Sequence, residues 1–222
     1  MLTKEDIVPA AADRFIFLLA PAVVATTALM MFAVVPFGSS LTLFGEKVPL
    51  VISDLNVGLL YVFALSSLGV YGVAMGGWAS NSKYSLLGGI RGAAQMISYE
   101  LALGLSLVPI VMLADSFSIV EIVKAQEKYP FILVQPFAFV IFMISAMAES
   151  KRIPFDMPEA ENELGAGYHT EYSGIRFGLF FLGEYVHLQV LGALVAVLFL
   201  GGWRGPILPP PVWLLIKIIF VA

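Results

Sequence analysis

The sequence predicts an all-α, polytopic membrane protein, and three observations carry that prediction. Hydrophobic residues fill 59% of its 222 positions and charged residues only 13%, where an ordinary soluble domain is roughly 25% charged. The mean hydropathy is +0.92, which a soluble globule of this size could reach only by exposing a large apolar surface. The apolar residues also fall into six runs separated by polar connections. Disorder is excluded by the same richness in apolar residues.

The runs predict about six transmembrane helices in a single membrane domain covering residues 1–222. Residues 15–35 give 21 positions without a charge, and residues 55–77 give the second run. The third, 92–114, is interrupted only by Glu100, and the fourth, 131–148, is 18 residues long. The fifth, 177–201, carries Glu184 and His187. A helix needs about 20 residues to cross the hydrocarbon core. The sixth run, 212–222, has eleven residues and no polar flank after them, so the expectation is a truncated helix that the natural protein continues. Barrel strands would alternate apolar and polar residues over about ten positions. These runs are apolar on every side, and a backbone in lipid satisfies its polar groups within a helix. A signal peptide does not fit either. Its apolar region is roughly 7–15 residues after a basic start, and here a longer run follows an acidic start.

Orientation follows from Lys and Arg in the connections. One side collects Lys4, Arg14, Lys83, Arg91, Lys151, Arg152 and Arg176, and the other Lys47, Lys124, Lys128 and Arg204. Seven against four places the N-terminal segment and the 149–174 connection in the cytoplasm. Residues 36–54 and 115–130 read as ordinary external connections, with 118–128 able to form a short amphipathic helix on the surface. Residues 149–174 stand apart. They hold Glu149, Asp156, Glu159, Glu161, Glu163 and Glu171, six of the sixteen acids.

Some functional classes are excluded outright. With no cysteine, disulfides, cysteine-ligated zinc and cysteine-held iron–sulfur clusters are absent from this chain. The net charge of −4 argues against nucleic-acid binding, which needs a basic surface. There is no Gly-x-x-x-x-Gly-Lys phosphate loop and no Gly-x-Gly-x-x-Gly fingerprint. Glycines 72 and 76, 88 and 92, and 174 and 178 have the small-x-x-x-small spacing of closely packed membrane helices.

The candidate chemistry lies in the acids. Glu100 sits within an apolar run, where burying a carboxylate costs roughly 3 kcal/mol on insertion scales. It is either a functional acid or an interfacial one reaching back to headgroups. Glu184 and His187 are three apart and share a helix face, which suits a proton relay or polar packing. A di-metal site would need a second Glu-x-x-His helix, and the other histidine, His169, has Ala166 three residues earlier; no metal site is expected. Glu159, Glu161 and Glu163 follow Pro158, which suits a helix start whose dipole favours acids. They are either solvated stabilisers of that start or a coupled, proton-passing cluster. The Tyr168-His169-Thr170-Glu171-Tyr172-Ser173 run offers hydrogen-bonding groups at a helix mouth, but with no Gly-x-Ser-x-Gly elbow it is not read as hydrolytic.

Three stretches then resemble a known family. They are residues 77–88 (Gly-Trp-Ala-Ser-Asn-Ser-Lys-Tyr-Ser-Leu-Leu-Gly), residues 95–100 (Gln-Met-Ile-Ser-Tyr-Glu) and, above all, residues 148–164 (Ala-Glu-Ser-Lys-Arg-Ile-Pro-Phe-Asp-Met-Pro-Glu-Ala-Glu-Asn-Glu-Leu). The last runs on into Gly-Tyr-His-Thr-Glu-Tyr-Ser-Gly at 167–174. They resemble the H subunit of bacterial NADH:quinone oxidoreductase, the respiratory complex I family, as do Lys4-Glu5-Asp6 and Ala12-Asp13-Arg14-Phe15. The resemblance covers essentially the whole chain.

The resemblance implies a helical subunit of the inner membrane, lying where the peripheral electron-transfer arm meets the membrane arm. It would help form the quinone chamber and begin the proton-coupling path. Glu149, Asp156, Glu159, Glu161, Glu163 and Glu171 would belong to the charged quinone-side funnel and its proton path, with Glu100 and Tyr99 further into the membrane and Glu184 on the same path. Asp13, Arg14, Phe15, Arg152 and Tyr172 would border the quinone chamber. Lys83 and Arg91 would face the peripheral arm. Quinone would be substrate at a shared site, with FMN and iron–sulfur clusters in partner subunits, and the isolated chain would be inactive. Other complex I subunits and lipid would be its neighbours. The family has helices before the counterpart of Met1 and after that of Ala222, so the expectation is a chain incomplete at both ends. The alternatives are a homologous subunit of an energy-converting hydrogenase, which shares Pro-Phe-Asp, and an independent ion-coupled transporter with broken helices.

Overall fold

The computed structural model describes residues 7–38, 41–43, 46–48, 50–158, 165, 167–206 and 209–221. Among the described residues the helices are α1 (Arg14–Met31), continued by a 3-10 turn (Phe32–Val34), α2 (Gly58–Ala79), α3 (Lys83–Ala114), α4 (Ile119–Ala125), α5 (Phe131–Val134), α6 (Pro136–Glu149), α7 (Gly174–Phe199) and α8 (Pro210–Val221). A further 3-10 turn covers Gly167–His169. Four of these, α1 with its 3-10 extension, α2, α3 and α7, are long and apolar enough to cross a membrane. The chain is thus an α-helical, multi-pass membrane protein, and α6 and α8 are apolar but shorter.

Several elements differ from the runs read in the sequence. The first connection contains a two-stranded antiparallel hairpin, β1 (Leu41–Leu43) with β2 (Glu46–Val48), in which Leu41 pairs with Val48 and Leu43 with Glu46. The fourth run does not form one helix. Gln135 leaves helical geometry at φ −129°, ψ 60°, because the residue before a proline is pushed from the helical region, and α6 restarts at Pro136. α3 begins at Lys83, well before the apolar stretch, since its first turns are helical without being apolar.

Contacts divide the chain into two compact units. The first comprises Met1–Met30, Ala64–Leu101 and Ser145–His187. Its core is Phe17, Ala20, Val70, Val73, Met96, Tyr168, Tyr172 and Phe180, all buried. Close backbone approach is part of this packing: a Cβ on Gly88 would lie 2.7 Å from the Tyr168 nitrogen and 2.8 Å from the Gly167 Cα.

The second unit comprises Met31–Phe63, Ala102–Ile144 and Leu188–Ala222. Its core includes Leu107, Ile110, Ile122, Leu194 and Leu214, with the Phe199 ring against Phe139 and Phe142 at 5.4 and 5.5 Å. α4 is amphipathic, with Ile119, Ile122 and Val123 buried, and Ser118 caps it by accepting from the Glu121 nitrogen at 3.4 Å. Buried Gln126 staples this unit. Its amide donates to Val197 O (2.8 Å) and Ile122 O (3.3 Å), and its oxygen accepts from the nitrogens of Gly201 (3.0 Å) and Phe131 (3.2 Å).

Candidate functional site

The chemistry-bearing side chains of the first unit gather where α2, α3, α6 and α7 contribute polar groups to apolar helices. Glu149 ends α6 and is 3% exposed. Its Oε1 accepts from Ser66 Oγ of α2 at 2.5 Å and lies 3.2 Å from His187 Nε2 of α7. The second contact has ion-pair distance without hydrogen-bond alignment, since His187 Nε2 has no hydrogen-bond partner among the described residues. Glu149 Oε2 is likewise buried with no partner there. The next residue of α2, Ser67, donates to Glu100 Oε1 of α3 at 2.6 Å. Two adjacent serines therefore serve two carboxylates, one each. A hydroxyl both donates and accepts, and a carboxylate or imidazole takes up one proton, so each member can change its protonation or its bonding direction without moving the backbone.

Gln95 of α3 positions this group. Its buried amide donates to Ala148 O and Phe155 O, both at 2.7 Å. One side chain thus grips the turn on both sides of Glu149. Tyr99, one helical turn further on, packs its ring edge-on to Phe155 at 5.5 Å. Asp156 is half-buried, and its Oδ1 is buried without a partner among the described residues.

A second group surrounds the 3-10 turn. Lys151 is buried and donates to Tyr168 OH at 3.1 Å, with Nζ 4.2 Å from the ring centre. His169 packs edge-on to Tyr168, Phe177 and Phe181. Burial first, and the Lys151 charge second, hold its imidazole neutral and push its pKa down to about 4. Tyr172 stacks on Phe17 of α1 at 4.0 Å and 3°. Burial raises its phenol above the ordinary value, against the Ser80 hydrogen bond and the Arg176 charge. The Arg152 guanidinium lies 4.9 Å from the Tyr185 ring centre.

The structure sorts the residues singled out in the sequence. Glu149, Glu100 and His187 come together. Glu184 shares a helix with His187, but His187 turns to Glu149, and Glu184 and Glu171 take no part in these bonds among the described residues. Asp13 acts locally. Its Oδ1 accepts from the nitrogens of Phe15 (3.1 Å) and Ile16 (3.3 Å), which makes it the N-cap of α1. Phe15 is 74% exposed, and Arg14, Lys83 and Arg91 are exposed too. Glu159, Glu161 and Glu163 lie outside the described residues. Among the described residues no three His, Asp or Glu side chains are grouped to hold a metal. Sequence reasoning missed Ser66, Ser67 and the clamp role of Gln95. Only the Ser-Ser pair in the middle of an apolar run was a visible signal.

Fold and site together define a class: a multi-pass helical membrane protein in which a buried carboxylate, Glu149, and a half-buried one, Glu100, are served by hydroxyls, with a histidine beside the first. Comparison with known proteins narrows it. The family model described as NADH dehydrogenase matches residues 1–222, and the chain belongs to that family. It is 78% identical to the second NADH-quinone oxidoreductase H subunit of Syntrophobacter fumaroxidans, over all of this chain and 67% of the relative. It is 64% identical to the NADH-quinone oxidoreductase H subunit of Syntrophotalea carbinolica, over 100% of this chain and 67% of the relative. It is 65% identical to the first such H subunit of Geobacter metallireducens, over 100% and 68%. The resemblance carried by the 148–174 segment is the one these relatives bear, rather than that of a hydrogenase subunit or an independent transporter.

Proposed function

We propose that this chain works as the H subunit in the membrane arm of a proton-translocating NADH-quinone oxidoreductase, helping to form the quinone chamber and coupling quinone reduction to proton movement. The observation that carries this reading is the Ser66–Glu149–His187 contact beside Ser67–Glu100. A buried carboxylate in contact with an imidazole and a hydroxyl exchanges a proton without exposing a charge to lipid. A neighbouring carboxylate feels every such exchange. The relatives' names favour this reading over a hydrogenase subunit or a transporter.

In this reading Glu100, Tyr99, Glu149, Asp156 and Glu184 lie on the proton path, together with Glu159, Glu161, Glu163 and Glu171. Asp13, Arg14, Phe15, Arg152 and Tyr172 border the quinone. The Phe17–Tyr172 stack supports this, because it ties the start of α1 to the segment before α7. The exposed Lys83 and Arg91 meet the peripheral arm, whose subunits supply FMN and iron–sulfur clusters that a chain without cysteine cannot ligate. The N-terminal segment and residues 149–174 face the cytoplasm.

The test replaces Glu100 by Gln, which keeps size and hydrogen bonding but cannot ionise. NADH:quinone turnover and proton pumping are measured in native membranes at equal complex content. The expected result is a fall in coupled turnover of about tenfold or more. Wild-type turnover with wild-type pumping would make Glu100 a structural acid and remove the proton reading.

A further inference from the structure

The turn from α7 to α8 is built around two glycines in the left-handed region, Gly201 at φ 72° and Gly202 at φ 57°. It follows the C-terminal end of α7, where carbonyls lack helical partners and the helix dipole is negative. Lys217 of α8 reaches into this turn. Its Nζ donates to Leu200 O (2.7 Å), Gly202 O (2.7 Å) and Arg204 O (2.9 Å). An ammonium has three protons, and here each finds one carbonyl.

The backbone that carries these carbonyls is held by bonds that do not involve Lys217. Gly202 N donates to Ala196 O at 2.8 Å, and Arg204 N donates to Gly201 O at 3.2 Å. Gln126 ties down Val197 O and Gly201 N. Gly202 is packed so tightly that a Cβ there would lie 2.9 Å from Val123 Cγ2. Backbone oxygens converging on one point are also how helix ends and filters replace the water shell of a monovalent cation.

We propose that the α7–α8 turn is a preformed monovalent-cation site whose resident cation is the tethered ammonium of Lys217. The site takes a primary ammonium or an ion of potassium's class, because three oxygens at hydrogen-bond distance surround one positive centre. The competing account is that Lys217 itself organises the carbonyls. In that case the turn relaxes once the side chain is gone and binds nothing. The proposal is independent of the proton path.

The experiment measures thermal unfolding of the full-length protein in its purified complex, for wild type and Lys217→Ala. The salts are tetramethylammonium, potassium and methylammonium chloride at equal ionic strength. In tetramethylammonium the variant should melt about 5 °C below wild type. Potassium or methylammonium should recover at least half of that deficit in a saturable way, while wild type does not respond. An equal deficit in all three salts, or no deficit, overturns the proposal. If Lys217→Ala does not accumulate, Lys217→Met, which keeps an apolar stem without the charge, is read in the same salts against the same two outcomes.

Discussion

The two units use polar side chains on apolar helices differently. In the first, beside the Gln95 clamp on backbone, polar side chains bond to one another: Ser66 to Glu149 and Ser67 to Glu100, with His187 beside Glu149. In the second they bond to backbone: Gln126 to Ile122, Val197, Phe131 and Gly201, and Lys217 to three carbonyls. A side-chain pair has two protonation arrangements, and each alters its partner. A side chain on a backbone carbonyl has one arrangement and fixes geometry. The first unit thus adds titratable side-chain pairs to a backbone clamp at Gln95, whereas the bonds made by Gln126 and Lys217 in the second are architectural.

That contrast is sharpest at Glu149. Glu149→Gln keeps the bond from Ser66 but removes the ionisable group, so turnover per assembled complex should fall about a hundredfold. Measuring turnover at equal complex content separates this from an assembly defect, and wild-type turnover would erase the distinction between the units. Gln126→Leu should do the reverse. It leaves Val197 O and the nitrogens of Phe131 and Gly201 unpaired. At about 1–3 kcal/mol for each buried orphan, the complex should melt roughly 10 °C lower, with turnover per complex unchanged. Turnover that fell with stability would place a functional role in the second unit.

His169 tests whether the first unit is also a stability device. An ordinary imidazole titrates near 6.5, and the folded one near 4. The unfolded chain therefore binds the extra proton first. The stability this residue permits is complete above about pH 6.5 and is lost as pH falls towards 4, to a total of about 3 kcal/mol. His169→Phe, seated among Tyr168, Phe177 and Phe181, should flatten the melting temperature across that window. An unaltered pH slope would move the sensitivity elsewhere. The smallest effect belongs to Asp13: Asp13→Ala removes the α1 cap and should cost about 1 kcal/mol in unfolding measurements, with an unchanged stability assigning the carboxylate to something other than capping.

Much of the fold was legible because lipid imposes one rule on a spanning segment, and apolar runs report it directly. What escaped was local. The break at Gln135 hid inside a continuous apolar run, where only Pro136 signalled it. The early start of α3 at Lys83 was hidden because polar residues form helices without entering a hydropathy count. In the site, Glu100 was visible as a charge where none belongs. The partner of His187 was not, because Glu184 stood nearer in sequence on the same face while Glu149 arrived from another helix. Pairing between distant segments leaves no periodicity to read.

The glycines at 76 and 88 carry a consequence for how this protein can drift over time. A Cβ at Gly76 would meet the tip of Phe180 at 2.9 Å, a side-chain atom. A smaller residue at 180 would make room, so a change at 76 is reachable by way of a prior change elsewhere. At Gly88 the neighbours are the main chain of Tyr168 and Gly167, at 2.7 and 2.8 Å. Every amino acid carries that main chain, so no substitution at 167 or 168 can relieve the clash. The first glycine is open to compensatory paths; the second is a dead end for mutation, and the 167–168 turn beside it inherits the same constraint.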